Sequence, residues 1–466
     1  MPERHYPLAR IRPIRFLPRP VWCSFEGITN SANNPPPPTT EAALEPPRRW
    51  WRSIGPALIT ACVVFGPGSL VISANVGATY RCELLWLLAL TGVLMGTYVA
   101  MGARIGVVGG ATPCSLVATR LGRPFAVGLG LNLALICSTF QFSNNVAVAL
   151  AAQAIWPGAN SSWVLVAMNG LLIVFLFTAR EVYRFLEGAV KVMVGIILVC
   201  FLFNLLAAQP SLGAVLAGFV PGIPEGLSIG LPQRVGEAIA DPMILVASLL
   251  GTTFSVGAAF YQGNLVRERG WTLREYRHGI GDAIAGGLIL TGVSMAIMIT
   301  TATVIPGQPA SDIGTLARML RPLLGATAYG VFCLGLLAVA MNPFLINAMI
   351  GGSILADGLG QPARLGDRAS RLLTVVVLLI GMCVAILALR SGQKPVSLII
   401  FGQALTVLGN PLMAGTLLYL ANRRDVMGDR RNGWVMNLLG GAGFLLVVLM
   451  AARVLWRLCL QLAPAS

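Results

Sequence analysis

The chain has 466 residues, of which 56% are hydrophobic and only 11% charged. Soluble globular proteins carry about 25% charged and about 45–50% apolar residues, so this balance excludes a cytosolic enzyme, a disordered protein and a disulfide-stapled secreted domain. A net charge of +15 arises from 33 Lys and Arg against 18 Asp and Glu, but the basic residues fall between apolar blocks rather than in one patch, which removes a nucleic-acid partner.

Residues 1–52 come first and are a different material. Arg4, Arg10, Arg12, Arg15 and Arg19 precede the run Pro35 to Pro38 with no apolar periodicity, so a disordered cytoplasmic tail is expected, with no cleavable signal peptide visible. Apolar runs then recur, and a hydrocarbon layer about 30 Å thick needs about 20 apolar residues per helix. Eleven spans are expected, near 54–80, 84–107, 125–153, 162–179, 188–208, 242–266, 280–304, 324–355, 371–389, 395–420 and 433–456. The stretch 124–179 holds no charged residue in 56 positions, and Trp156-Pro157-Gly158-Ala159-Asn160 divides it into a helical hairpin.

Of the 33 basic residues, 25 lie on the side of the N-terminus if the spans alternate. The positive-inside rule therefore places the N-terminus in the cytoplasm and the C-terminus outside, in a plasma (inner) membrane. The expected order is a tail (1–52), spans one to five (53–208), an extracytoplasmic loop (209–241), spans six to ten (242–420), and a loop with the eleventh span (421–466). Nine cysteines are scattered without a Cys-x-x-Cys pair, and the two histidines, His5 and His278, lie outside the apolar blocks. No cofactor is expected, because a histidine-based zinc or haem site has almost nothing to use.

Two spans contain residues that a lipid-exposed helix avoids. The first holds Gly66-Pro67-Gly68-Ser69 and the sixth holds Gly251-Thr252-Thr253-Phe254-Ser255-Val256-Gly257. Proline removes a backbone donor and glycine weakens a helix, and backbone freed at the midplane must line a cavity or be buried in protein. Five spans separate the breaks, so the sixth crosses in the opposite sense to the first. That is the pattern of an inverted-repeat secondary transporter, while spacing alone leaves a proline kink with a glycine packing face open.

The residues at these breaks resemble the natural-resistance-associated macrophage protein (NRAMP) family of divalent-metal transporters. Gly66-Pro67-Gly68-Ser69 with Asn75-Val76-Gly77-Ala78 is similar to the family's Asp-Pro-Gly-Asn and Gln-Ala-Gly-Ala. The segment from Leu85-Trp86 to Ala103-Arg104-Ile105-Gly106-Val107-Val108-Gly109-Gly110 resembles the second span, and Gln403, Pro411 and Asn422-Arg423-Arg424-Asp425-Val426-Met427-Gly428 resemble the tenth span and its loop. Over about residues 53–450 the resemblance implies an all-α integral membrane protein of LeuT-type fold, with two inverted five-helix repeats, about 11 transmembrane helices and broken helices 1 and 6.

The resemblance also implies where a metal would sit, and there the chain departs from the pattern. Family members hold metal with Asp and Asn of the first span and a Met side chain and Ala carbonyl of the sixth. Here Gly66 and Ser69 stand at the first pair, Thr252 at the Ala, Ser255 at the Met, and Gly257 and Gln262 at two histidines. Gly66, Gly68, Ser69, Thr252, Ser255, Gly257 and Gln403 are the candidate substrate residues, Gln403 because it matches a position that closes on the ion.

A neutral pocket compensates poorly for dehydration of bare Mn²⁺ or Fe²⁺, and no thioether selects a soft ion. A hydrated Mg²⁺-like cation, a monovalent cation, and an anion or zwitterion on the half-helix N-termini after Gly68 and Gly257 all stay open. The expected function is an NRAMP-related secondary transporter, nominally of metal ions, whose partners are an ion or small polar solute and the bilayer, with oligomeric state open. A transport-dead receptor or sensor is the alternative, and no paired carboxylates or catalytic cluster points to an enzyme. Asn75, Gln141, Asn144, Asn145, Gln262, Asn264, Asn342, Asn347 and Asn410 either line the path or bond helix to helix. Asp282 and Lys191 lie near span ends, where snorkelling or pairing accounts for them.

Overall fold

A computed structural model describes residues 66–178, 195, 199–236, 238–309 and 312–463, so the tail, positions 54–65 of the first span and Lys191 lie outside the described residues. The side chains of His278, Asp282 and Asn342 lie outside them too.

The polypeptide enters with Gly66 extended (φ −119°, ψ 169°), and Pro67 opens helix α1 (Pro67–Tyr80), where a missing N–H costs nothing. Helix α2 (Leu85–Val108) leads to a short helix α3 (Pro113–Leu121), whose first turn is capped by the Thr112 hydroxyl accepting from Ser115 N–H at 3.3 Å. The long α4 (Arg123–Ile155) stops at the expected divider, and Asn160 Oδ1 accepts from Ser162 N–H at 3.1 Å to start α5 (Ser161–Thr178). Helix α6 (Val199–Ala208) follows.

The next connection carries a short helix α7 (Leu212–Ala217) and an antiparallel ribbon of β1 (Gln233–Val235) with β2 (Ala238–Ala240). Then come α8 (Ile244–Thr253), α9 (Val256–Glu268), α10 (Leu273–Val304), the short α11 (Ile313–Arg318) and α12 (Arg321–Leu324), and α13 (Ala328–Leu359). Helices α14 (Arg368–Arg390), α15 (Pro395–Leu405), α16 (Asn410–Asn422), the single turn α17 (Arg424–Met427) and α18 (Trp434–Leu462) complete the chain.

Eight segments among the described residues are long and apolar enough to cross a bilayer, counting α8 with α9 and α15 with α16 as one each. The apolar α1, α5 and α6 occupy the places expected for the first, fourth and fifth spans. Several bounds differ from those read in the sequence: the seventh starts at Leu273, the eighth runs to Leu359 and the eleventh to Leu462. Amphipathic end turns that leave the hydrocarbon continue the helix without raising hydropathy, which is why composition alone cuts them short.

Small residues set the closest approaches. A Cβ on Gly102 or Gly106 of α2 would run into the carbonyl oxygens of Ala259 and Gly263 of α9, and one on Gly77 of α1 would meet the Met298 carbonyl of α10. These pairs pack backbone against backbone, as helices do in lipid, where van der Waals contact replaces the hydrophobic drive. Helices α4 and α13 form the most extensive pairing, with Gly130 and Gly358 at the crossing. Leu372 and Leu387 of α14 and Leu438 and Leu449 of α18 point outward, an apolar surface suited to acyl chains and not to water.

Beside the ribbon sits a buried ion pair. Asp241, whose side chain is 1% exposed, accepts from Arg453 Nη2 at 2.8 Å and from Arg457 Nη1 at 3.4 Å. Arg453 also donates to the Ile229 and Gly230 carbonyls, at 3.2 and 2.6 Å, which ties α18 to the connection before α8.

Candidate functional site

The interruption of the sixth span is narrower than its glycine pattern suggests. Helix α8 ends at Thr253, Phe254 (φ −106°, ψ 64°) and Ser255 (φ −80°, ψ 84°) leave helical geometry, and α9 begins at Val256. Asn410 Nδ2, at the start of α16, donates to the Phe254 carbonyl at 3.2 Å and so satisfies an acceptor that the break frees. Gly68 and Gly257, read from sequence as residues preceding the half-helices, instead lie inside the first turns. Pro67 and Val256 are the first helical residues, because Gly66 and Ser255 already hold the non-helical angles.

The two interruptions meet. The hydroxyls of Ser69 and Thr252 share a hydrogen bond of 2.8 Å across 183 residues. Gln403 of α15 lies over Gly68, where an added Cβ would strike its side-chain amide, and its own carbonyl approaches Gly251 so closely that no Cβ would fit. Gln403 is 2% exposed, and its Oε1 is a buried acceptor without a hydrogen-bond partner. An orphaned buried acceptor costs about 1–3 kcal/mol, so this oxygen is an opening for a donor or a cation.

The positions matching the family ligands thus split into two groups. Ser69 and Thr252 touch, Gly68 and Gly251 bring Gln403 against both half-helices, and Ser255 forms the break itself. Gly66 faces the ring of Pro343, with 3.4 Å from an added Cβ to Pro343 Cγ, and Gly257 faces the Leu133 side chain of α4. Leucine therefore fills the space that a side chain at 257 would enter. Between residues 66 and 80 and between 244 and 266 there is no Asp, Glu, His, Lys or Arg. Among the described residues no cluster of three or more His, Cys, Asp or Glu is arranged to hold a metal.

The other polar candidates mostly bond within or between helices. Asn75 donates to Val71 O in its own helix at 2.9 Å, Gln141 to the Phe344 carbonyl of α13, and Asn169 to Asn145 Oδ1 at 2.7 Å, which joins α5 to α4. Asn264 donates to the buried Asp357 at 3.0 Å. Asp357 was not evident in the sequence because it is a lone acid just beyond the apolar part of α13.

Comparison with known proteins places the whole span region. The family model described as natural resistance-associated macrophage protein-like matches residues 57–457. The chain belongs to the NRAMP family. Its relatives include the divalent metal cation transporter MntH of Deinococcus radiodurans, 26% identical over 87% of this chain and 89% of that protein, and MntH of Mycobacterium leprae, 24% identical over 86% and 90%. Among solved structures, a single-site mutant of the Eremococcus coleocola manganese transporter superposes with a TM-score of 0.70 at 18% identity, covering 91% of each chain. Mhp1, a nucleobase-cation-symport-1 family transporter in a closed conformation, gives 0.51 at 13% identity over 86% of this chain and 92% of its own. The NRAMP chain therefore has the LeuT-type fold and is a multi-pass integral membrane protein of a transporter family, not an enzyme.

Proposed function

We propose that the protein is an NRAMP-related secondary transporter whose substrate site is neutral and unsuited to tight binding of bare Mn²⁺ or Fe²⁺. The observation that supports this reading is the Ser69–Thr252 hydrogen bond with the unpartnered Gln403 Oε1 beside it. Hydroxyls and an amide offer oxygen without negative charge, so a divalent ion stripped of water would stand uncompensated in a low-dielectric site. The orphaned acceptor favours a ligand with a positive charge or donor hydrogens, such as a cation that keeps part of its water or a small zwitterion. Free N–H groups in the first turns of α1 and α9 would receive the anionic end of a zwitterion.

In the plasma membrane the N-terminus faces the cytoplasm, on the side of the loops bearing Arg120, Arg364 and Arg423. Cysteine labelling from outside the cell that modified a residue placed in the loop 423–431 would reverse this orientation. The decisive experiment is flux into proteoliposomes of Mn²⁺, Mg²⁺, Na⁺ and small zwitterions, one at a time. Uptake of a hydrated or monovalent cation or a zwitterion, with Mn²⁺ uptake weak, supports the reading. Efficient Mn²⁺ uptake overturns the altered site, and specific binding without any flux would make the protein a sensor.

A further inference from the structure

A second polar centre lies away from the Ser69–Thr252 pair, at the far end of α9. Asp357 sits in the last turn of α13, 5% exposed. Its Oδ1 accepts from Thr112 Oγ1 at 2.8 Å and Ser115 Oγ at 3.2 Å, and its Oδ2 accepts from Asn264 Nδ2 at 3.0 Å. Every one of these donors is neutral. Among the described residues no Lys or Arg comes within ion-pair distance; Arg123 of α4 packs instead against Gly360, three residues on. The position is unfavourable for an anion, since the C-terminal end of α13 carries the negative end of its dipole, and only the first turn of α3 opposes it.

The amide of Asn264 supplies the second observation. Asn264 is 5% exposed, and its Oδ1 is buried without a hydrogen-bond partner although its Nδ2 contacts Asp357. Rotating that amide by half a turn exchanges the two atoms and turns a free acceptor toward the carboxylate. Acceptor facing carboxylate is stable only with a positive charge between them. Thr112 and Ser115 hydroxyls can turn their lone pairs inward in the same way, and the set then becomes all oxygen, the chemistry of a hard cation.

We propose that Asp357, Asn264, Thr112 and Ser115 form a site for one monovalent inorganic cation of sodium size, the coupling ion of the transport cycle. One carboxylate balances one charge, whereas a divalent ion would leave an uncompensated charge in the protein interior. The Thr112 and Ser115 hydroxyls close on Asp357 Oδ1 at 2.8 and 3.2 Å, so an ion enters only as they swing back and exchange their protons for lone pairs. Asn264 belongs to the half-helix α9 that Ser255 immediately precedes, so occupancy changes the tie between α9 and α13 while the substrate site sits at the other end of α9. The coupling role rests on the transporter reading; the binding itself does not.

The test follows thermal unfolding of the purified full chain in detergent, by tryptophan fluorescence, with choline chloride replaced by NaCl or KCl at constant ionic strength. Sodium should raise the midpoint by about 3 °C at saturation, potassium should not, and Asp357→Asn should abolish the response. Asn264→Ala keeps the carboxylate and should weaken the half-saturating sodium concentration about tenfold, which preserves a readout if the first variant does not fold. An equal response to sodium and potassium, or an unchanged sodium response in either variant, overturns the proposal. So does stabilisation on lowering the pH in choline that requires Asp357 while sodium has no effect, because the site then holds a proton. Cys114, beside Asp357, and Arg123 are the other ionisable groups there, and Cys114→Ser separates the thiol from that pH response. A sodium response without substrate flux in liposomes leaves the site standing and removes the coupling role.

Discussion

Two buried aspartates, one in the connection before α8 and one at the end of α13, show opposite solutions to the same electrostatic problem. Asp241 is matched by Arg453 and Arg457, so its charge is permanently answered. Asp357 is held by neutral donors only, the Thr112 and Ser115 hydroxyls, the Asn264 amide and the Cys114 thiol, so its charge is oriented but not cancelled. A fixed ion pair suits a staple between elements that keep their relation, whereas an uncancelled carboxylate keeps an affinity for something that arrives and leaves. On the proposal above, net charge at a buried acid, not burial alone, separates Asp241 from Asp357.

The largest effect should come from cutting the staple. Arg453→Ala leaves Asp241 with Arg457 at 3.4 Å as its cationic partner and the Met243 N–H at 3.2 Å, and weakening a buried pair in this way should cost up to about 3–5 kcal/mol, read as a lower unfolding midpoint and lower yield. Asp357→Asn in choline should cost only about 1–3 kcal/mol, because it loses hydrogen bonds without stranding a charge. Equal losses would erase the distinction between the two acids. Next in size, the triple variant Gly66→Asp, Ser69→Asn, Ser255→Met should bind Mn²⁺ at least about tenfold more tightly than the parent, ~1.4 kcal/mol by calorimetry. Gly66 admits a Cβ at 3.4 Å from Pro343 Cγ, and unchanged affinity in a folded triple variant would show that the correspondence with the family's ligands does not hold.

Ser69→Ala should cost about 1 kcal/mol of stability, the net value of one buried hydrogen bond, with Thr252 left to find another partner. Asp425, on the surface turn α17, provides the smallest effect. Hydrogen bonds from Arg423 and Arg120 hold its carboxyl at about 2, below the ordinary value of about 3.9. A depressed pKa contributes stability above the unfolded value that is lost as pH falls through the folded one, so the contribution is complete by about pH 5. Asp425→Asn should therefore shift the unfolding midpoint by the same small amount at pH 5 and pH 8.

Among the described residues the eight long apolar spans were legible in the sequence because each needs only a long apolar run, a local property. The first break was legible as well, since Pro67 and its flanking glycines carry their backbone preferences with them. The sixth-span break was placed too broadly, at 251–257, because glycines there serve close packing, and the residue that stabilises the actual turn is Asn410, 156 positions away. The placing of Ser69 and Thr252 in one candidate site followed from the resemblance, not from hydropathy, and their mutual hydrogen bond was not legible in either. Asp241 and Asp357 went unread for a common reason: each acid borders an apolar run, and its partners lie 93 to 245 residues away. Nothing in the local sequence distinguishes a buried acid from one at the water interface.

The glycine contacts between α2 and α9 carry a mechanical consequence. Side chains have compliance and can absorb a small displacement by changing rotamer, but a carbonyl seated against a bare α-carbon cannot. If α9 were to rotate about the break at Phe254 and Ser255, α2 would have to turn with it, as a crank turns its shaft. The far end of α2 leads through Gly109 and Gly110 to Thr112, so such a turn would reach the threonine that donates to Asp357. Alanine at Gly102 or Gly106 would drive a methyl into the Ala259 or Gly263 carbonyl and wedge the two helices apart, which breaks the backbone contact that such a linkage needs.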